Sequence, residues 1–116
     1  MKFYTINQNN SGGSFIENDD VHHMICIEAS SAKNAESMME RITAPYSDYC
    51  ECCGERWYIS ISESDGFNYP TNGYGENLET CDAGMFRDQA IIYYANGEKK
   101  IFDLNTKQYR LIGNWI

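Results

Sequence analysis

Long apolar runs are missing from this chain, and no stretch approaches the roughly 18–20 residues that a bilayer-spanning helix needs. Basic residues are scarce as well. Nine Lys and Arg stand against seventeen Asp and Glu, for a net charge of −8. A surface that acidic repels phosphate, which disfavours direct nucleic-acid binding and docking on anionic membranes. Histidine is limited to His22 and His23. Adjacent residues on a strand point to opposite faces, so only one of them could serve as the base for a nucleophilic cysteine. The five cysteines are an odd number, which argues against a closed disulfide framework. Met1-Lys2-Phe3-Tyr4 leads straight into an alternating strand, so no signal peptide is expected and the thiols are expected to stay reduced.

What is present suits one globular domain. Apolar residues make up 42% of the 116 positions and aromatics 14%, enough to bury a core without metal or disulfides. Lys2 to Gln8 alternates and predicts a strand. Ser14 to Glu17 predicts a short returning strand after the Asn9–Gly13 turn. Val21 to Ala29 predicts a central strand, because Met24, Ile25, Cys26 and Ile27 are nearly continuous in apolar character. Ser30 and Ser31 offer an N-cap, and Ala32, Ala35, Met38, Met39 and Ile42 recur at helical spacing. A helix over Ala32–Thr43, stopped by Pro45, follows. Trp57 to Ser62 reads as a strand and Glu63 to Gly84 as a long surface loop. Ala90–Tyr94 and Lys99–Asp103 flank Asn96-Gly97, which predicts a β-hairpin with a type I′ turn, and Lys107 to Ile112 adds a last strand. The expected fold is α+β: an antiparallel sheet of five to six strands, one main helix on a face, and an irregular loop before the C-terminal hairpin.

Cys50-Glu51-Cys52-Cys53-Gly54 is the densest chemical feature. Cys50 and Cys53 form a C-x-x-C pair, a spacing that lets two thiolates meet one ion, and the glycine behind them permits a tight turn. A tetrahedral Zn²⁺ needs a second pair. Cys81 is the expected third ligand and His23 the fourth, with His22 as the alternative and Cys52 able to replace a member of the first pair. With four protein ligands such a zinc would be structural. A redox C-x-x-C fits poorly, because no helix start lies at the first cysteine.

Ser11-Gly12-Gly13-Ser14 could wrap an anion with backbone N–H groups, although it leads into a strand and no lysine follows. Phe15 could stack a base, and Arg56 could meet a phosphate with its planar fork. With Trp57 they make Ser11, Gly12, Gly13, Phe15, Arg56 and Trp57 the expected ligand-binding residues. The carboxylates Asp19, Asp20, Glu63, Asp65, Glu76 and Glu79 read as solvated loop residues, and no catalytic set is assembled.

Gly12-Gly13, Ile27-Glu28-Ala29, the helix from Ala32 and the segment Cys50-Glu51-Cys52-Cys53-Gly54-Glu55-Arg56-Trp57 give the chain a particular look. It resembles a group of small uncharacterised bacteriophage proteins that share a C-x-C-C-G-x-R-W segment. The resemblance implies a phage-encoded accessory protein in the host cytoplasm, without an established activity. Two kinds of partner are expected. One is a host protein with a basic surface; the other is a small nucleotide-like ligand, held in host takeover or counter-defence. A zinc-stabilised structural or assembly module of a phage, including a homo-oligomer, is the alternative.

Overall fold

A computed structural model describes residues 1–9, 15–46, 49–50, 54–83 and 88–115. Strands β1 (Lys2–Asn7) and β2 (Met24–Ala29) precede α1 (Ala32–Thr43), the one α-helix among the described residues. Two-residue strands β3 (Tyr49–Cys50) and β4 (Gly54–Glu55) pair with each other. Strands β5 (Gln89–Tyr93), β6 (Glu98–Asp103) and β7 (Gln108–Asn114) complete the α+β fold. The main sheet has five strands in the order β1-β2-β5-β6-β7.

That sheet is mixed, where the sequence predicts an antiparallel one. β2 and β5 run parallel, with Met24 opposite Ala90 and Ile27 opposite Tyr93, and the other neighbours are antiparallel. The reason is the long crossover between them, which carries α1 back across the sheet and delivers the chain to β5 in the direction of β2.

Alternation along the strands separates two cores. Tyr4 and Ile6, Ile25 and Ile27, Ile91 and Tyr93, and Ile101 share the α1 side with Ala32, Ala35 and Met39. Phe3, Met24, Cys26, Ala90, Ile92 and Phe102 face the other way. With one helix available, that second face is covered by the segment after residue 66. Leu78 is fully buried there and Cys81 nearly so, so the stretch expected as a surface loop also supplies core residues. The segment is pinned to the edge of β1, since Phe3 and Phe67 exchange backbone hydrogen bonds of 2.7 and 3.0 Å.

Ser31 caps α1 by accepting from Asn34 N at 3.2 Å, and beyond Thr43 the chain tightens into a 3-10 turn over Ala44–Tyr46. Two expected strands do not form among the described residues. Residues 15–17 stay irregular because Gln8 holds Ile16 by its side chain: Ile16 N donates to Gln8 Oε1 at 2.8 Å, and Gln8 Nε2 donates to Ile16 O at 3.0 Å. After Trp57, which bridges Gln8, the chain leaves the sheet and packs beside α1, where Glu36 Oε1 accepts from Ile61 N at 2.7 Å. The β5–β6 connection also departs from a type I′ turn. Gly97 alone takes a positive φ, +98°, while Asn96 does not. Gly97 N donates to Tyr94 O and Tyr94 N to Glu98 O. This is the longer hairpin loop, in which glycine takes the left-handed position after an ordinary turn.

Candidate functional site

Five strands about 4.8 Å apart make a sheet roughly 20 Å wide, and a helix about 10 Å across cannot cover it. α1 packs chiefly against β2, and the β5–β7 side of the same face, where Ile91, Tyr93 and Ile101 are buried, borders a gap beside the helix. A cleft of about 660 Å³ results. α1 contributes Met38, Arg41 and Ile42, which helical spacing places on one side of the helix while Met39 turns into the core. The sheet contributes Tyr93 and Lys99, and the chain after β7 contributes Trp115. Met38, Arg41 and Trp115 also line a neighbouring hollow of about 340 Å³ that reaches Ser30 and Asn34, so the groove follows α1 toward its start.

A polar node sits in this cleft among its apolar walls. Lys99 follows the alternation that sends Ile101 inward and is only 9% exposed. Its Nζ lies 3.4 Å from Asp20 Oδ1 and 5.6 Å from the centre of the Tyr93 ring. The Tyr46 hydroxyl donates to Asp20 Oδ2 at 2.6 Å, and the Tyr93 hydroxyl donates to the Asp20 carbonyl. The Tyr46 bond first, and then Lys99, hold the Asp20 carboxyl below its usual range. Burial, reinforced by Asp20, pushes the Tyr93 phenol up, so it stays protonated. Trp115 is fixed by Nε1 donating to Tyr94 O at 2.8 Å and by an edge-on contact with Tyr93, with ring centres 5.8 Å apart. The Arg41 guanidinium, in the last turn of α1, has no partner among the described residues. An unpaired cation beside an aromatic wall can hold a planar anion.

Of the expected ligand-binding residues, the described ones, Phe15, Arg56 and Trp57, do not line the groove. Ser11, Gly12 and Gly13 fall outside the described residues. Phe15 stacks edge-on against His23 at 4.3 Å, Arg56 Nη1 donates to Gln8 Oε1 at 2.8 Å, and Trp57 is in the α1-side core with Nε1 donating to Tyr46 O. Gln8 therefore gathers these residues as a structural knot, with Phe15 half-buried and Trp57 buried.

Of the expected zinc ligands, Cys53 lies outside the described residues, and Cys50 is placed by its backbone pairing with Gly54. Cys81 is packed in the second core with its Sγ 3.8 Å from Leu78 O. His23 instead lies between carboxylates: Nε2 is 3.4 Å from Glu17 Oε1, and Nδ1 is 3.4 Å from Asp88 Oδ1. Glu17 Oε1 is also 3.6 Å from His22 Nδ1, and burial pulls the His22 imidazole below its usual pKa. Among the described residues, no group of three or more His, Cys, Asp and Glu is arranged to hold a metal ion.

Arg41, Lys99 and Trp115 were not among the residues the sequence points to. One signal for them exists: Lys99 stands two residues before Ile101 on a strand, an inward-facing charge that calls for a partner.

Fold and cleft together define a small α+β domain with a ligand-sized groove beside its helix. Residues 1–110 match the model of a family described as a domain of unknown function (DUF7296), and the chain belongs to that family. No curated protein and no solved structure matches it. No helix among the described residues is long and apolar enough to cross a membrane.

Proposed function

We propose that this is a non-enzymatic binding protein, a phage-encoded accessory factor that acts in the host cytoplasm and sequesters a small, nucleotide-like anion in the groove beside α1. The observation that carries the reading is Arg41, a guanidinium without a partner among the described residues, sharing a cleft of about 660 Å³ with the Trp115 ring in a chain of net charge −8. The volume lies in the range of small-molecule sites, and apolar walls with a few placed polar groups are their usual make-up. In a protein this acidic, a local cation lets an anion approach where the average field would repel it. The thiols described do not offer a nucleophile: Cys26 and Cys81 are buried, and burial pushes the Cys26 pKa up to about 11.

The same acidic charge favours a second mode, in which the surface blocks a basic patch on a host protein; that association should weaken with salt. Native mass spectrometry of protein purified from an infected host separates the two. A retained small anion, lost in Arg41→Ala, supports the groove reading. A stoichiometric host protein that survives Arg41→Ala supports the blocking mode and removes the groove from the function.

A further inference from the structure

Away from the groove, the segment after residue 66 meets β1 in a second hollow, of about 340 Å³. Tyr58 and Tyr74 line it and are 78% and 81% exposed. Neither hydroxyl has a partner among the described residues. Two large rings held in water without covering a core are unusual enough to call for a ligand, since aromatic side chains otherwise bury most of their area. Between them the walls are polar, with Asn7, Ser60, Thr71, Asn72 and the carboxylate of Asp65. None of the described lining residues is Lys or Arg.

The hollow is built rigidly. Asn72 Oδ1 accepts from Tyr74 N at 2.9 Å and from Glu76 N at 3.0 Å, and Asn72 N donates to Glu76 O. Gly75 takes φ +82°, and a Cβ there would come within 2.7 Å of the Phe67 ring, so the backbone under Tyr74 rests directly on Phe67. The backbone that carries the Tyr74 ring is thus held in place, which limits the freedom lost when a ligand stacks on that ring.

From these features we infer that the tyrosine-lined hollow is a binding site for a neutral saccharide. The Asn7 carboxamide, whose buried Oδ1 has no hydrogen-bond partner among the described residues, the Ser60 hydroxyl and the Asp65 carboxylate match the donors and acceptors of a sugar ring. The exposed phenol faces suit the apolar C–H faces of a pyranose. The carboxylate, with no cation beside it, turns phosphorylated ligands away. The site shares no lining residue with the groove beside α1, so it stands or falls separately from the reading above.

The test is an amide-detected NMR titration of the full chain with glucose, galactose, N-acetylglucosamine and maltose, with adenosine as the contrasting flat neutral ligand. At least one saccharide should shift signals at Tyr58, Gly73 and Tyr74. Tyr58→Ala and Tyr74→Ala, both at exposed positions, should each weaken that binding by about tenfold, as loss of one stacked ring predicts. Tyr74→Phe should retain it. No shift with any of the four saccharides, shifts with adenosine alone, or binding unchanged in both alanine variants would overturn the assignment.

Discussion

Asp20 and Lys99 stand 79 positions apart in sequence and 3.4 Å apart in space, and the contact between them closes the base of the groove. Only Lys99 is deeply buried; the Asp20 side chain is half exposed. The pair is therefore asymmetric. Removing the carboxylate strands a buried ammonium, whereas removing the ammonium returns Asp20 to water.

Stability should reflect that asymmetry. Asp20→Ala also frees the Tyr46 hydroxyl and should cost about 1–2 kcal/mol in urea unfolding, a figure reduced for the solvent that screens Asp20. Lys99→Met should be neutral or stabilising, because an apolar side chain of similar length fills the same space. The pH dependence has a definite sign. The Asp20 pKa is lowered by folding, chiefly through Tyr46. Its contribution is thus complete above the unfolded carboxyl value of about 4 and is lost as pH falls through the folded value. The gap in stability between the natural chain and Asp20→Ala should narrow on acidification below about pH 4, as read by unfolding curves across that range.

Gln8 is fully buried and, among the described residues, its side chain makes four hydrogen bonds, to Ile16 N, Ile16 O, His22 O and Arg56 Nη1. Gln8→Ala leaves Ile16 N, Ile16 O and His22 O without that partner in a partly buried setting. The expected loss is about 3 kcal/mol, near the top of what one polar truncation does, because more than one donor or acceptor is orphaned. Thermal unfolding would check it. A change within experimental error would mean that the segment around Ile16 is held by something other than Gln8.

Thiol labelling of the native chain offers a third check. Cys26 and Cys81 are buried, and burial raises both thiols, Cys26 to about 11. Under native conditions a small alkylating reagent should leave both unmodified, as peptide mass spectrometry would show, and unfolding should expose both. Rapid native modification of Cys81 would place it outside the second core and reopen its use as a metal ligand.

Much of the architecture can be read from local pattern. Alternation in Lys2–Asn7 and helical spacing from Ala32 to Met39 each reflect a face packed on a core, and Ser31 carries the cap in its own side chain. Patterns of that kind fail where distant contacts decide. Trp57 to Ile61 has the alternation of a strand, yet Glu36 takes the Ile61 N–H and the core takes Trp57. Leu78 sits in a glycine-rich stretch that reads as loop, and it is buried because one helix leaves a sheet face uncovered. The parallel pairing of β2 with β5 depends on how the chain crosses over, which no single window of residues encodes. The groove was hidden for the same reason: Asp20, Arg41, Lys99 and Trp115 come from four separate places in the chain.

The groove can be tested most directly by NMR mapping of a nucleotide panel, adenosine and guanosine mono- and triphosphates, on the natural chain and on Arg41→Ala. The account predicts shifts centred on Arg41, Lys99 and the Trp115 indole for at least one nucleotide, with affinity falling about tenfold or more in the variant, as loss of a charge-assisted contact implies. Nucleotides that shift none of these residues, or that bind Arg41→Ala as tightly as the natural chain, would contradict it.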